Sequence, residues 1–159
     1  MSIGGGGRQR LQELSEQIQA LEQEKAQIRE EIEGVRAQKT EIDEAVEGLE
    51  TLETGSNVQV PLGGGAYVRA SVEDIDEVVV KLGGGYAAER DQDGAIDTLQ
   101  HKKEMLDERI DELQSEMSEI DAESEQLEAE AQQAQQQLLQ QLQAQQGGEQ
   151  GGPGPSPDE

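Results

Sequence analysis

The sequence predicts a mainly α protein: a long antiparallel two-helix coiled coil with two β-hairpins between the helices. Three observations predict it. Apolar residues alternate at three- and four-residue spacing over both ends of the chain, the apolar period drops to two in the middle, and glycine triplets punctuate that middle at 63–65 and 83–85. Among 159 residues there is no Phe or Trp, only two Tyr, and just 32% are hydrophobic. So few large apolar side chains cannot fill a big close-packed core, and an elongated, assembly-dependent shape fits better.

Taken in order, residues 1–8 read as a flexible N-terminus because four consecutive glycines, Gly4 to Gly7, are costly to order. Residues 9–54 read as the first coiled-coil helix. Its seam is Leu11, Leu14, Ile18, Leu21, Ile28, Ile32, Val35, Ile42, Val46 and Leu49, interrupted by Lys25 and Lys39, both at a positions. At 1.5 Å per residue this arm is roughly 65 Å long.

Residues 55–88 change character. Val58, Val60 and Leu62 alternate with polar residues or proline, as do Val68, Ala70 and Val72, and then Val78, Val80 and Leu82. Period two with β-branched residues predicts four short strands in two hairpins. The turns fall at Gly63, Gly64 and Gly65 and at Gly83, Gly84 and Gly85, with Glu73 to Asp76 as a polar connection between the pairs. Residues 89–146 read as the second helix, with a seam of Ile96, Leu99, Leu106, Ile110, Leu113, Met117, Ile120, Leu127, Ala131, Ala134 and Leu138, broken by Lys103, Ser124 and Gln141. Residues 147–159 have the Gly, Pro and acidic composition of a disordered tail.

A lone helix would leave its seam in water, so the reversing middle predicts that the two arms pair antiparallel. With Leu49 near Ile96, Leu11 and Leu14 face Ala134 and Ala131, which leaves a thin distal seam. Beyond it Leu138, Leu139 and Leu142 overhang with few partners. Exposed apolar groups at such an end can bind another protein.

The formal charge of −24 repels nucleic acid and anionic lipid, so neither nucleic acid nor membrane is an expected partner. No apolar stretch approaches a transmembrane span, the N-terminus lacks the apolar segment of a secretory signal, and there is no cysteine. The expectation is a cytoplasmic protein.

Neither glycine triplet is followed by the Lys and Ser or Thr of a phosphate-binding loop. Residues 89–100 echo a calcium loop with Asp91, Asp93, Gly94 and Asp97, but the last position is Gln100 where calcium needs a bidentate carboxylate. An acidic approach to a helix start explains the stretch. His101 is the only histidine and reads as a surface residue, and the many carboxylate pairs suit a solvated coiled-coil face. No catalytic, cofactor-binding or metal-binding residue is expected, and the protein is not expected to be an enzyme.

Helix, two hairpins, helix, with VPLGGGAYVRA at 60–70 and VVVKLGGGYAAER at 78–90, resembles the alpha class of archaeal prefoldins. The resemblance covers about residues 8–145, and it is the two hairpins that point to the alpha class. It implies an ATP-independent chaperone, a holdase subunit in a hexamer with two alpha and four prefoldin beta subunits. The hairpins would form a β-barrel platform, the arm tips would hold unfolded client proteins, and these would pass to a group II chaperonin. Platform assembly would fall on Val58, Val60, Leu62, Tyr67, Val68, Val78, Val80, Leu82 and Tyr86. Client contact would fall on Leu11, Leu14, Leu138, Leu139 and Leu142, with Ile3 as a further candidate. The acidity and the small number of lysines add the expectation of a halophilic archaeon, with assembly that needs salt. The competing reading is a structural or tethering coiled coil without client binding.

Overall fold

The computed structural model describes residues 3–150, and side chains from 6 to 145. The first helix, α1, spans Ile3–Thr51, and the last, α2, spans Gln92–Gln150. Four strands lie between them: β1 (Asn57–Gly63), β2 (Ala66–Ser71), β3 (Val78–Gly83) and β4 (Tyr86–Arg90). Two long helices with two antiparallel hairpins between them is the architecture that the periodicities predict.

The helix ends differ from the sequence reading. α1 takes up the glycines at 4–7 that were expected to be flexible, because α2 runs alongside: a Cβ on Gly7 would sit 3.2 Å from Leu138 Cδ1. At its other end α1 stops at Thr51, where the Leu52 amide and the Thr51 hydroxyl both donate to Gly48 O, at 3.1 and 3.0 Å, and Gly55 follows with φ 90°. α2 starts on a cap. The Asp91 carboxylate accepts from the Gly94 amide at 2.7 Å and its carbonyl accepts from Ala95 at 2.8 Å, which satisfies donors that a helix start leaves unpaired. The acidic run at 91–97 is thus a helix start. Of the tail expected from residue 147, residues 147–150 close α2 and 151–159 lie outside the described residues.

The chain divides into two compact units, one of residues up to Glu30 with those from Gln114 onward, the other Glu31–Leu113. In the first, the start of α1 pairs antiparallel with the end of α2, burying Leu14, Ile28 and Ile120 together with Ser124, the one buried polar residue among the described residues. In the second, the helices again pair antiparallel and bury Ile32, Val35, Ile42, Ala95, Ile110 and Leu113. These buried side chains are a and d positions of the heptads, apart from Ala95, which lies at the capped start of α2. The geometry follows from spacing: a 3.5-residue apolar period keeps one stripe of each helix against its neighbour.

Each hairpin is its own two-stranded sheet. In the first, Val58 faces Ala70, Val60 faces Val68 and Gly63 faces Ala66; in the second, Val78 faces Arg90, Val80 faces Ala88 and Gly83 faces Tyr86. The two-residue connections have positive φ throughout, 62° and 82° at Gly64 and Gly65, and 62° and 83° at Gly84 and Gly85. Positive φ at both central residues defines the I′ turn, whose twist matches that of the flanking strands and which glycine adopts without strain. Register slips just before each turn, between Pro61 and Gly63 and between Lys81 and Gly83, where the first glycine of the triplet also has positive φ.

Hydrogen bonds tie together the helices, connections and second hairpin of the second unit. Gln92, the first residue of α2, donates its side-chain amide to Leu49 O at 2.5 Å and Leu52 O at 3.1 Å, capping carbonyls at the end of α1. Thr54 Oγ1 accepts from the Ile75 amide, and Lys102 Nζ donates to Lys81 O on β3.

Candidate functional site

The hairpins present apolar surface. Val60, Leu62, Tyr67, Val68, Leu82 and Tyr86 are exposed, Leu62 to 69% and Tyr86 to 75%, while Val58 and Val78 are half-buried. Val80 differs from the rest of the assembly set: it is only 5% exposed, turned inward where β3 lies over Ala45, Leu49 and Leu99, so it packs against its own chain. Its neighbour Val79, absent from that set, is 68% exposed. The Val78–Val80 run of three identical residues hid which face turns outward, because period two cannot be phased within it.

Beside β3 a shallow groove is lined by Ile42, Ala45, Leu82, Leu99, Met105 and Leu106. Met105, another exposed apolar residue, borders it. Sequence reading missed Met105 because it lies just off the seam, next to Leu106.

The distal leucines separate into two groups. Leu14 is 1% exposed, held in the seam of its own chain. Leu11 and Leu138 are half-buried. Leu139 and Leu142 are exposed to 52% and 39%. The side chain of Ile3 lies outside the described residues.

The seam lysines each find an aspartate on the facing helix. Lys25 reaches Asp121 at 2.5 Å in the first unit, and in the second Lys39 pairs with Asp107 and Lys103 with Asp43 at 2.6 Å. The hydrogen bond that Lys103 donates to Asp43 raises the Lys103 pKa above its ordinary value. Arg109 meets Glu31 through two nitrogens, at 2.7 and 3.2 Å, and that contact raises its pKa likewise. These lysines interrupt the apolar stripe without leaving a buried charge alone, since the long stem lies in the seam while the ammonium emerges at its edge.

His101 is exposed, with Nδ1 3.6 Å from Glu104. Among the described residues no group of three or more His, Asp or Glu could hold a metal ion, and no helix is long and apolar enough to cross a membrane.

Comparison with known proteins places this architecture. The family model described as "Prefoldin subunit" matches residues 14–137. A prefoldin subunit alpha from Halobacterium salinarum is 57% identical over 113 residues, covering 71% of this chain and 73% of the relative. One from Haloarcula marismortui is 71% identical over 65 residues, covering 41% of this chain and 42% of that relative. One from Halorubrum lacusprofundi is 52% identical over 110 residues, or 69% of this chain and 72% of its own length. Among solved structures, a chain of the filamentous PFD from Methanocaldococcus jannaschii, determined by cryo-EM, is similar with a TM-score of 0.64 at 28% identity, over 73% of this chain and 98% of that one. Heptads, twin glycine-turn hairpins and these matches agree: the chain belongs to the prefoldin family of chaperone subunits, and its similar relatives from halophilic archaea are alpha subunits.

Proposed function

We propose that the chain is the alpha subunit of a holdase that works without ATP: its hairpins join partner subunits of the beta class, two alpha with four beta, and its arm ends hold unfolded proteins for transfer to a group II chaperonin. The observation that carries the reading is the pair of separate two-stranded sheets with apolar faces exposed. A two-stranded hairpin is marginally stable in water, and its unpaired strand edges are templates for further strands. Hairpins that stay ordered under those conditions fit a surface completed by other subunits. The structural likeness to a chain of a prefoldin filament supports assembly of that general kind.

Client contact falls on Leu139 and Leu142, with Leu11 and Leu138 at the margin. Several such arms working together would convert weak contacts into useful retention, since linked sites add by effective concentration. The test is co-purification with a beta-class partner, native mass measurement, and suppression of aggregation of a denatured client by the complex. A two-plus-four mass, with suppression that weakens after removal of residues 1–10 and 135–159, is the expected result. A homodimer or filament that survives deletion of residues 57–88 would instead establish a tethering coiled coil.

A further inference from the structure

The heptad of α1 runs on past its last aliphatic residue. Counting back from Leu14 and Leu11 at three- and four-residue spacing, the next seam positions are Gly7 and Gly4, the two ends of the glycine run. The seam of α1 therefore ends in backbone, while α2 still offers Leu138 to it. Gly7 meets that leucine: a Cβ placed on Gly7 would lie 3.2 Å from Leu138 Cδ1. Leu138 is half-buried, whereas Leu139 and Leu142 beside it are exposed. Within the first unit, the start of α1 thus covers one leucine of three.

That cover is weakly held. Glycine is the poorest helix former after proline, and four in succession lie in the first turns of α1. No acidic residue in the first turn answers the positive end of the helix. Gly6 is exposed and Gly7 contributes no side chain to the seam, so the packing that elsewhere compensates for poor propensity is reduced to one leucine against backbone. Unwinding these turns costs little, and it returns the conformational freedom that glycine has in the largest measure. What it uncovers is specific. Leu138 and Leu142 are four residues apart on one face of α2, with Leu139 adjoining, so an exposed pair becomes a continuous apolar patch of three.

We infer that residues 3–7 are a strap: wound, they shield Leu138, and unwound, they release it to an unfolded polypeptide held at Leu139 and Leu142. This rests on the reading of the arm end as the client site. A patch that is partly covered until a client arrives limits the apolar surface left idle in water. The client's apparent affinity is lowered by the fraction of time the strap is closed, so a change in strap stability is read directly as a change in binding.

Two measurements on the assembled complex test the strap, with the native mass confirmed for every variant. Hydrogen exchange reads it without any client. Helix geometry sends the amides of Gly7 to Arg10 to the carbonyls of residues 3–6, so these four should exchange at least about a hundredfold faster than the amides of Ile18 to Ile28. Gly4→Ala with Gly5→Ala and Gly6→Ala, which leaves the Gly7 contact as it is, should slow them. Equal protection of the two sets in the native chain would overturn the inference. Client binding reads the consequence, with reduced and carboxymethylated α-lactalbumin as the unfolded probe. The triple alanine variant should weaken binding by roughly three- to tenfold, and removal of residues 2–7 should tighten it by a similar factor. Leu138→Ser should abolish both differences, because the strap acts through that residue. If it leaves them intact, or if neither variant changes binding while Leu139→Ser with Leu142→Ser weakens it, the strap is overturned and the client-site reading stands. Binding that none of the three leucine substitutions affects would place the client elsewhere and overturn both.

Discussion

At the scale of single residues, the seam lysines show how a polar side chain shapes a coiled coil. Lys39 occupies an a position that an aliphatic side chain would fill with more burial, and its partner Asp107 is largely solvated. Replacing one with a well-packed apolar residue is generally neutral or stabilising, so Lys39→Met should raise the melting temperature, by about 1 kcal/mol of stability. What the lysines contribute is choice of partner: a parallel pairing between two copies of α1 would set Lys25 against Lys25 and Lys39 against Lys39. The double variant Lys25→Met, Lys39→Met should therefore self-associate more readily, read as a rise in sedimentation mass of the isolated chain. Lys103 predicts a pH dependence with a definite sign. Its pKa is raised by Asp43, so its contribution is complete below the ordinary lysine range and is lost as pH rises through the raised value. Melting temperature should fall in strongly alkaline solution by more for the native chain than for Lys103→Met.

At the scale of elements, the hairpins depend on backbone conformation more than on side chains. Gly64 has φ 62° with no atom within 4 Å of a Cβ placed there, so the constraint is torsional, not steric crowding by a neighbour. A β-branched residue forced into that region costs of order 1–3 kcal/mol, which an isolated hairpin cannot absorb. Gly64→Val should leave the helical circular dichroism of the arms intact and lower the native mass of the complex. The helices were legible because a heptad is written in consecutive residues, and the turns because positive φ favours glycine. Helix ends were less so. Nothing in the local composition of Gly4 to Gly7 indicates helix; the presence of Leu138 on the facing helix supports it.

At the scale of the molecule, a charge of −24 acts on assembly. Bringing several such chains together concentrates carboxylates, and the repulsion is screened over about 10 Å at 0.1 M salt but only about 3 Å at 1 M. Native mass should therefore fall to that of separate subunits at low ionic strength and recover with added salt; a complex unchanged by dilution into low salt would show that apolar contact at the hairpins suffices alone. By itself the sequence determined the element order, the antiparallel pairing, the two glycine turns and the resemblance to prefoldin, because each is carried by spacing along the chain. The tertiary structure alone decided which apolar residues are free: Leu14 is buried while Leu139 is exposed, and Val80 faces inward while Val79 faces out. It also decided that each seam lysine has an aspartate within reach. Burial and charge pairing depend on what lies opposite a residue in space, and that is a property of the fold, which periodicity along one strand or one helix does not contain.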